Sequence, residues 1–266
     1  MLDSGKLDIF DLKKIKINRT AKELEEAGKE MRTKVSSEQL AEFVPVHRDA
    51  VAAIKKTESK MIQELLPLRH ERMLASKFAF FRGTAELMEQ DLKDQYQSHI
   101  PLIICGDAHV NNYGFYASPE RQLIFGLNDF DESRIGNWES DLKRLLVSAR
   151  LAGEENGFSD EQLDSVLHLI TKTYRHSIKH NDKLSLFQRL YSSYEIHDMI
   201  AAIDTLNNSA SQMNEILNKI IKKSSRSNSE QIVKKMTKLN KNGQLRFSEN
   251  APRAKHVNAE KYAEIL

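Results

Sequence analysis

The residues best suited to chemistry lie in two short polar segments. The first, CGDAHVNNYG, places Asp107 directly after a glycine and Asn112 five positions later. The second, NDFDE, places Asp129 just after an apolar run. Magnesium prefers oxygen ligands and is held by few protein groups, while phosphate oxygens and water supply the other ligands. Carboxylates and an amide in this arrangement indicate a Mg²⁺ site that handles phosphate.

The two aspartates suit different tasks in phosphoryl transfer, which needs positioning and charge neutralisation more than covalent help. Asp107 would accept or orient the proton of an attacking hydroxyl, and Asp129 would bind the metal that bridges phosphate oxygens. The alternative is that both carboxylates cap turns, a position that aspartate favours. Asn112 and Asn111 each also fit a turn, and only the spacing from Asp107 favours Asn112 as a metal ligand.

Neighbouring polar residues carry weaker indications. We expect His109 to brace the loop by hydrogen bonding, although a base or a metal ligand is the alternative. Asp131 and Glu132 either add to the metal site or contact substrate, or they are solvated turn acids. Cys105 is expected to be a small buried residue and not a nucleophile, because no base is identifiable beside it.

Two basic residues follow the start of a predicted helix. For Lys143 and Arg144 we expect an ion pair with Glu139 or Asp141 on the same helix. Contact between Arg144 and a substrate phosphate is the alternative.

Two apolar runs rich in β-forming residues bracket the first polar segment. Residues 100–104 and Leu123–Leu127 are predicted as short buried strands. The residues between them include Gly106, Gly114 and Pro119 and are predicted as a long loop. We expect these neighbouring strands to form a small central β element that brings the three site residues together.

The remaining sequence is mostly helical in pattern. Thr20 and Glu23 have the spacing of a capping box, and so do Ser159 and Gln162. Residues 48–66 predict one amphipathic helix that stops near Pro67. Asn242 and Gly243 predict a hairpin turn. Further helices are predicted after Gly83, after Trp138, and over residues 163–174, 184–194, 196–206, 212–221 and 231–239.

Composition narrows the class of protein. Hydrophobic residues make up 40% of the 266 residues and charged residues 29%, with 10 Gly and 5 Pro, as in a helix-rich globular chain. The single cysteine excludes an intramolecular disulfide, and no apolar run approaches the length of a membrane-spanning helix, about 20 residues. We therefore expect a cytoplasmic protein with no membrane partner.

The charge distribution is uneven although the formal net charge is only +2. Residues 219–255 contain eleven lysines or arginines and two acids. This run has almost no aromatic residues on which bases could stack, so a solvated helical face is favoured over nucleic-acid binding.

The order GD-x-H-x-x-N, strand, D-F-D resembles the catalytic and metal-binding segments of the protein-kinase-like superfamily, especially the aminoglycoside phosphotransferases. HipA-type serine kinases carry a similar D-x-H-x-x-N loop. More closely, the chain resembles the uncharacterised bacterial family called domain of unknown function twenty-two fifty-two. The matching stretches, about a third of the chain, are LRHERMLASKFAFFRGTAELMEQDL, CGDAHVNNYGFYASPE, LIFGLNDFDES and NWESDLKRLLVS.

The resemblance implies a role for individual residues. Asp107 corresponds to the catalytic-loop aspartate, and Asn112 and Asp129 correspond to the metal-binding asparagine and aspartate. Asp141 corresponds to a buried aspartate that supports the catalytic loop by accepting backbone hydrogen bonds. Arg82 belongs to the family's F-x-R-G pattern, and contact with substrate or phosphate is the role expected for it.

One departure from that superfamily concerns the nucleotide. Its ATP-dependent members use a glycine-rich phosphate loop and a lysine on a nearby strand, and the glycines here form no such cluster. In the resembled family these segments follow the catalytic motifs, so a chain truncated at its C-terminus is expected. The fold class expected is α+β, mainly α. An N-terminal helical extension at 1–66 precedes a protein-kinase-like large lobe at 67–266, which has a basic helical C-terminal part. The small nucleotide-binding lobe is expected to be largely absent.

The function expected from these observations is transfer of a phosphoryl group from ATP or another nucleotide, with Mg²⁺, to a hydroxyl on a small molecule or protein. A catalytically incomplete kinase-like binding module and a protein nucleotidyltransferase are the alternatives. The sequence leaves the acceptor, the nucleotide preference and the oligomeric state open.

Overall fold

The computed structural model describes residues 20–118, 122–191, 218–219, 222, 229–250 and 255–258. Within these ranges the chain is α+β and mainly helical, with three small antiparallel sheets of two strands each. The helices before the first strand are α1 (Ala21–Lys34), α2 (Ser37–Ala41), α3 (Ala50–Glu58), α4 (Leu66–Met73), α5 (Lys77–Arg82) and α6 (Ala85–Leu92).

The first two sheets and the helices around them form the centre of the chain. Strand β1 (Pro101–Ile104) pairs with β4 (Arg134–Asn137), and β2 (Tyr113–Ala117) pairs with β3 (Leu123–Leu127). Two long helices follow directly, α7 (Trp138–Glu155) and α8 (Asp160–Asp182). The described remainder consists of α9 (Leu186–Tyr191), α10 (Ser229–Met236), β5 (Thr237–Leu239) and β6 (Leu245–Phe247).

Several predicted elements are confirmed. The capping boxes at Thr20 and Ser159 are both formed, with each hydroxyl accepting a hydrogen bond from the third helical residue and that residue's side chain bonding back. The helix after Gly83 is α6, and β3 has the predicted limits. The hairpin at Gly243 joins β5 to β6, and a φ of +73° explains the glycine there.

The predicted helix over residues 48–66 is confirmed only as far as α3, and its continuation beyond Glu58 is wrong. Helix α3 ends at Glu58, where the side-chain amide of Gln63 donates hydrogen bonds to the carbonyls of Glu58 and Met61 and so satisfies groups at the helix end. Pro67 lies in the first turn of α4 instead of ending a helix. Proline is tolerated in a first turn because its missing N–H would have no helical partner there.

The predicted strand arrangement also needs correction. The first strand is Pro101–Ile104, and it does not pair with Leu123–Leu127. Part of the predicted loop is strand β2, which forms the central hairpin with β3, and three of the four residues of β1 are exposed. The hairpin is supported by Phe115 and Phe125, whose ring centroids lie 5.0 Å apart across the strands.

Predictions near the C-terminus are tested only in part. The helix predicted over residues 231–239 is wrong at its end, because Thr237–Leu239 is a strand paired with β6. The helix over residues 184–194 is described only as α9, Leu186–Tyr191. The helix over residues 196–206 lies outside the described residues, and so does nearly all of the one over residues 212–221.

Helices α7 and α8 pack closely against each other. A Cβ atom added at Gly153 would lie 2.1 Å from a methyl carbon of Leu163, so the glycine permits this approach. Trp138, at the start of α7, stacks on Tyr174 of α8 with centroids 5.9 Å apart. The buried apolar side chains of the described residues lie largely beside the first polar loop, and they are Met73, Ile104, Cys105, Ala108 and Leu163.

No helix within the described ranges has both the length and the apolar character that are needed to cross a membrane.

Candidate functional site

The loop that carries Asp107 follows β1 and is held from behind by helix α7. Gly106 has a φ of +84°, and a Cβ atom there would lie 2.3 Å from the carbonyl oxygen of Glu132, so only glycine fits. The two carboxylate oxygens of Asp141 accept hydrogen bonds from the backbone N–H groups of Cys105, at 2.8 Å, and Gly106, at 3.0 Å. Asp141 therefore fixes the backbone immediately before Asp107.

Asn112 joins this loop to the turn after β3. Its Nδ2 donates to the carbonyl oxygens of Asp107 and Asp129, each at 3.0 Å, and its Oδ1 accepts from the Asp129 N–H at 2.9 Å. The Cys105 thiol donates to the same Asp129 carbonyl at 3.2 Å. Asn112 is buried, so these bonds form away from water and hold the two loops in one arrangement.

Asp129 lies in an exposed turn between β3 and β4. Its Oδ1 accepts a hydrogen bond from the Asp131 N–H at 3.3 Å, an Asx-type turn contact. Asp129 lines a cleft together with Asp107, whereas Asp131 is not among the residues that line this cleft. The Asp129 carboxylate is thus oriented by its own turn and remains open to solvent.

Asp107 forms an ion pair with Arg144 of α7. The Arg144 Nε and Nη2 atoms lie 2.8 Å and 2.7 Å from the Asp107 Oδ1. Nη2 also donates to the carbonyl of Phe81, and the guanidinium lies 4.0 Å from the centroid of the Phe81 ring. Burial lowers the pKa of Arg144 below its ordinary value, and the adjacent Asp107 carboxylate opposes that shift.

The prediction that Arg144 pairs with Glu139 or Asp141 is wrong. Glu139 instead accepts hydrogen bonds from the backbone N–H and hydroxyl of Ser98, and Asp141 accepts them from the backbone N–H groups of Cys105 and Gly106. Arg144 lies three residues beyond Asp141 and five beyond Glu139 on α7, and only 3% of its side chain is exposed. A buried guanidinium needs a partner in the interior, and Asp107 supplies it.

His109 is buried beside the same carboxylate. Its Nε2 lies 3.4 Å from the Asp107 Oδ2, and its ring packs edge-on against Phe78. Burial lowers the pKa of His109, although Asp107 acts in the opposite direction. Its Nδ1 atom is buried without a hydrogen-bond partner within the described structure.

The cleft next to these loops has a volume of about 1030 Å³. Asp107, His109, Asp129 and Arg82 line it, whereas Asn112, Asp141 and Arg144 support its wall from behind. The cleft also contains polar residues to which the sequence analysis gave no role. These are Lys60, Arg69 and Arg72. Glu132, for which the sequence offered either a place at the metal site or a solvated turn, also lines the cleft.

The acids of the cleft influence one another. Partial removal of its carboxyl group from water raises the pKa of Glu132, and the nearby carboxylates of Asp107 and Asp129 raise it further. Among the described residues no cluster of three or more His, Cys, Asp or Glu side chains forms a ready metal site. The donor set nonetheless suits Mg²⁺ that arrives with phosphate, because that ion needs only one or two protein carboxylates.

The basic residues that the sequence analysis missed carried one detectable signal. Arg69 and Arg72 are three residues apart in LRHERM, so they share a face of α4. Their convergence with Lys60 and Arg82 depends on how α3, α4 and α5 pack, which no sequence spacing reveals.

Comparison with known proteins identifies the family of this chain. No curated protein and no solved structure matches this chain. A family model described as "Uncharacterized protein conserved in bacteria (DUF2252)" matches residues 61–266, which is more than half of the chain. The chain belongs to this bacterial family.

Proposed function

We propose that this protein is a kinase-like phosphotransferase that moves a phosphoryl group from a nucleotide such as ATP to a hydroxyl acceptor in the presence of Mg²⁺. The observation that carries the proposal is the junction made by Asn112. Its amide holds the loops of Asp107 and Asp129 together, and both of these residues line one cleft. Phosphoryl transfer needs such positioning, with one acid for the nucleophile and another for the metal.

Asp107 is the residue that would orient the acceptor hydroxyl. Both contacts from Arg144 fall on its Oδ1, so its Oδ2 remains free of the ion pair and can accept a hydrogen bond from a hydroxyl. Arg144 and Asp141 keep this carboxylate in a fixed position because one holds the side chain and the other holds the preceding backbone. They are positioning residues in the proposed reaction.

Asp129 lines the cleft and would hold Mg²⁺ there, and Asn112 would contribute its side-chain oxygen from behind the cleft wall. The Asn112 Oδ1 already accepts the Asp129 N–H, and an amide oxygen has a second lone pair that can face a cation. When bound, the ion would neutralise charge on the phosphate oxygens. The raised pKa of Glu132 is consistent with this role, since a cation would relieve the repulsion among the three acids.

Thermal shift measurements test this proposal. We expect ATP with Mg²⁺ to raise the melting temperature of the wild-type protein more than ATP alone does. Asp129→Ala should abolish the additional shift, and Asp164→Ala, an exposed acid on α8, should retain it. Equal shifts for wild type and Asp129→Ala would contradict the proposal.

A non-catalytic, nucleotide-binding module of the same fold is the second candidate. It is favoured by the ion pair of Asp107, because an acid committed to a buried arginine is less available to a substrate hydroxyl. Hydrolysis of ATP, in which water replaces the hydroxyl acceptor and ADP is released, distinguishes the two candidates. ADP formation that is lost in Asp107→Asn supports the enzyme, and nucleotide binding without any ADP formation supports the module.

A further inference from the structure

Four basic side chains line the cleft that contains the acids. Lys60 follows α3, Arg69 and Arg72 lie on α4, and Arg82 is the last residue of α5. We call these four residues the cationic wall. The acids of the cleft come from different segments, the loops around Asp107 and Asp129. The part of the cleft formed by the α3 to α5 region is therefore basic, and the part formed by the two loops is acidic.

The cationic wall lacks protein counter-ions. Within the described parts of the chain, none of its four side chains lies within 4.0 Å of a carboxylate oxygen. Four arginines elsewhere, Arg48, Arg134, Arg144 and Arg150, each pair with an acid. Four like charges in one concave space repel one another, and the low-dielectric walls of a cleft strengthen their field toward an anion.

Two features indicate a preformed site. The Arg69 guanidinium is anchored because its Nη2 donates to the carbonyl of Gly83 at 2.5 Å. The buried Arg69 Nε and His109 Nδ1 atoms both lack a hydrogen-bond partner among the described residues, and His109 is 6% exposed. Unsatisfied buried polar atoms are rare in proteins and often mark places where a ligand or water binds.

We infer that the cationic wall binds the phosphate chain of the nucleotide donor. This inference rests on the proposed function, because it places the donor in the cleft of Asp107 and Asp129. Arginine binds phosphate through paired N–H groups, and several arginines match the several charges of a triphosphate better than those of a single phosphate. The cleft volume of about 1030 Å³ accommodates a nucleotide.

The test is calorimetric binding of inorganic triphosphate to the full chain without metal. We expect Arg72→Gln/Arg82→Gln to weaken binding by about tenfold or more, because each lost charged hydrogen bond removes a large share of the affinity. Both side chains are exposed, so the variant should remain folded. The matched control is Lys172→Gln/Arg175→Gln, which removes two exposed charges from α8 and should leave the affinity unchanged.

Competition experiments identify the source of the phosphate. ATP should displace inorganic triphosphate, and glycerol 3-phosphate, a phosphate monoester, should not. The inference is overturned if the wild type binds no triphosphate, if both double variants bind it equally, or if only the monoester competes.

The proposed function can fail separately. Loss of triphosphate binding in Arg72→Gln/Arg82→Gln, together with nucleotide binding that is independent of Mg²⁺ and Asp129, would support the cationic wall and contradict the phosphotransferase.

Discussion

Arg144 reaches the Asp107 carboxylate through two nitrogen atoms, from a position at which only 3% of its side chain is exposed. The same guanidinium binds the Phe81 carbonyl and lies over the Phe81 ring. One buried side chain therefore connects α5, α7 and the loop after β1. The site and the packing of the helices depend on the same interaction.

Arg144→Met should destabilise the protein by about 3 to 5 kcal/mol, because it leaves the partly buried Asp107 carboxylate without its partner. Urea unfolding measures the change in free energy. Arg150→Met is the matched control on the same helix, and its more exposed ion pairs predict a much smaller loss. Equal losses for the two variants would show that the Arg144 pair contributes no more than a surface pair.

Asp141→Asn should destabilise the protein by about 1 to 3 kcal/mol. The carboxylate accepts hydrogen bonds from two backbone N–H groups, and an amide would oppose one of them with its own NH₂ group. Urea unfolding measures this loss, and Asp164→Asn, an exposed acid of α8, should change stability little. The interpretation is wrong if Asp141→Asn is as stable as this control.

Three glycine-to-alanine substitutions separate backbone strain from steric overlap. Gly28→Ala in α1 meets no atom within 4 Å and should stabilise the protein by about 0.5 to 1 kcal/mol. Gly157→Ala adds no steric overlap, so it should destabilise the protein only by the cost of a positive φ, about 1 to 2 kcal/mol. Gly106→Ala adds overlap with the Glu132 carbonyl and should cost about 3 kcal/mol. Melting curves check this order, and a Gly106→Ala variant as stable as Gly157→Ala would contradict it.

His109 should make the protein sensitive to mild acid. Burial lowers its pKa in the folded state, so the unfolded chain takes up a proton first as the pH falls below about 6.5. The contribution of His109 to stability therefore decreases from that pH down to its folded pKa. When the pH is lowered from about 7.5 to 5.5, the free energy of unfolding measured with urea should fall more for wild type than for His109→Gln.

The control for this experiment is His168→Gln on α8, where the side chain is exposed. It should keep the pH dependence of the wild type. An unchanged pH dependence in His109→Gln would show that burial of His109 does not carry the effect.

The local elements of the fold could be predicted because their signals are local. Capping boxes at Thr20 and Ser159 and the turn at Gly243 depend on residues within a few positions of each other. The break after Glu58 was missed because the residues from Ile54 to Leu65 keep a helical apolar period, whereas the capping contacts of Gln63 do not appear in that period. Pairing of β1 with β4 was missed because it joins segments that are far apart in the sequence, and no local pattern reports such a contact.

The candidate site shows the same limit. The spacing of Asp107 and Asn112 identified the first loop and the NDFDE segment identified the second, but the partner of Arg144 could not be found from α7 alone. A helical pattern identifies neighbours three or four residues away, whereas Asp107 is 37 residues from Arg144. The cationic wall was missed because three helices must pack before Lys60, Arg72 and Arg82 share one cleft.

The most direct test of the phosphotransferase proposal is electron paramagnetic resonance of Mn²⁺, a substitute for Mg²⁺, titrated into the protein in the presence of ATP. We predict that wild type and Asp164→Asn bind Mn²⁺ with equal affinity and that Asp129→Asn binds it at least about tenfold more weakly. Equal affinity of Asp129→Asn and wild type would contradict the assignment of Asp129 to the metal and, with it, the proposed function.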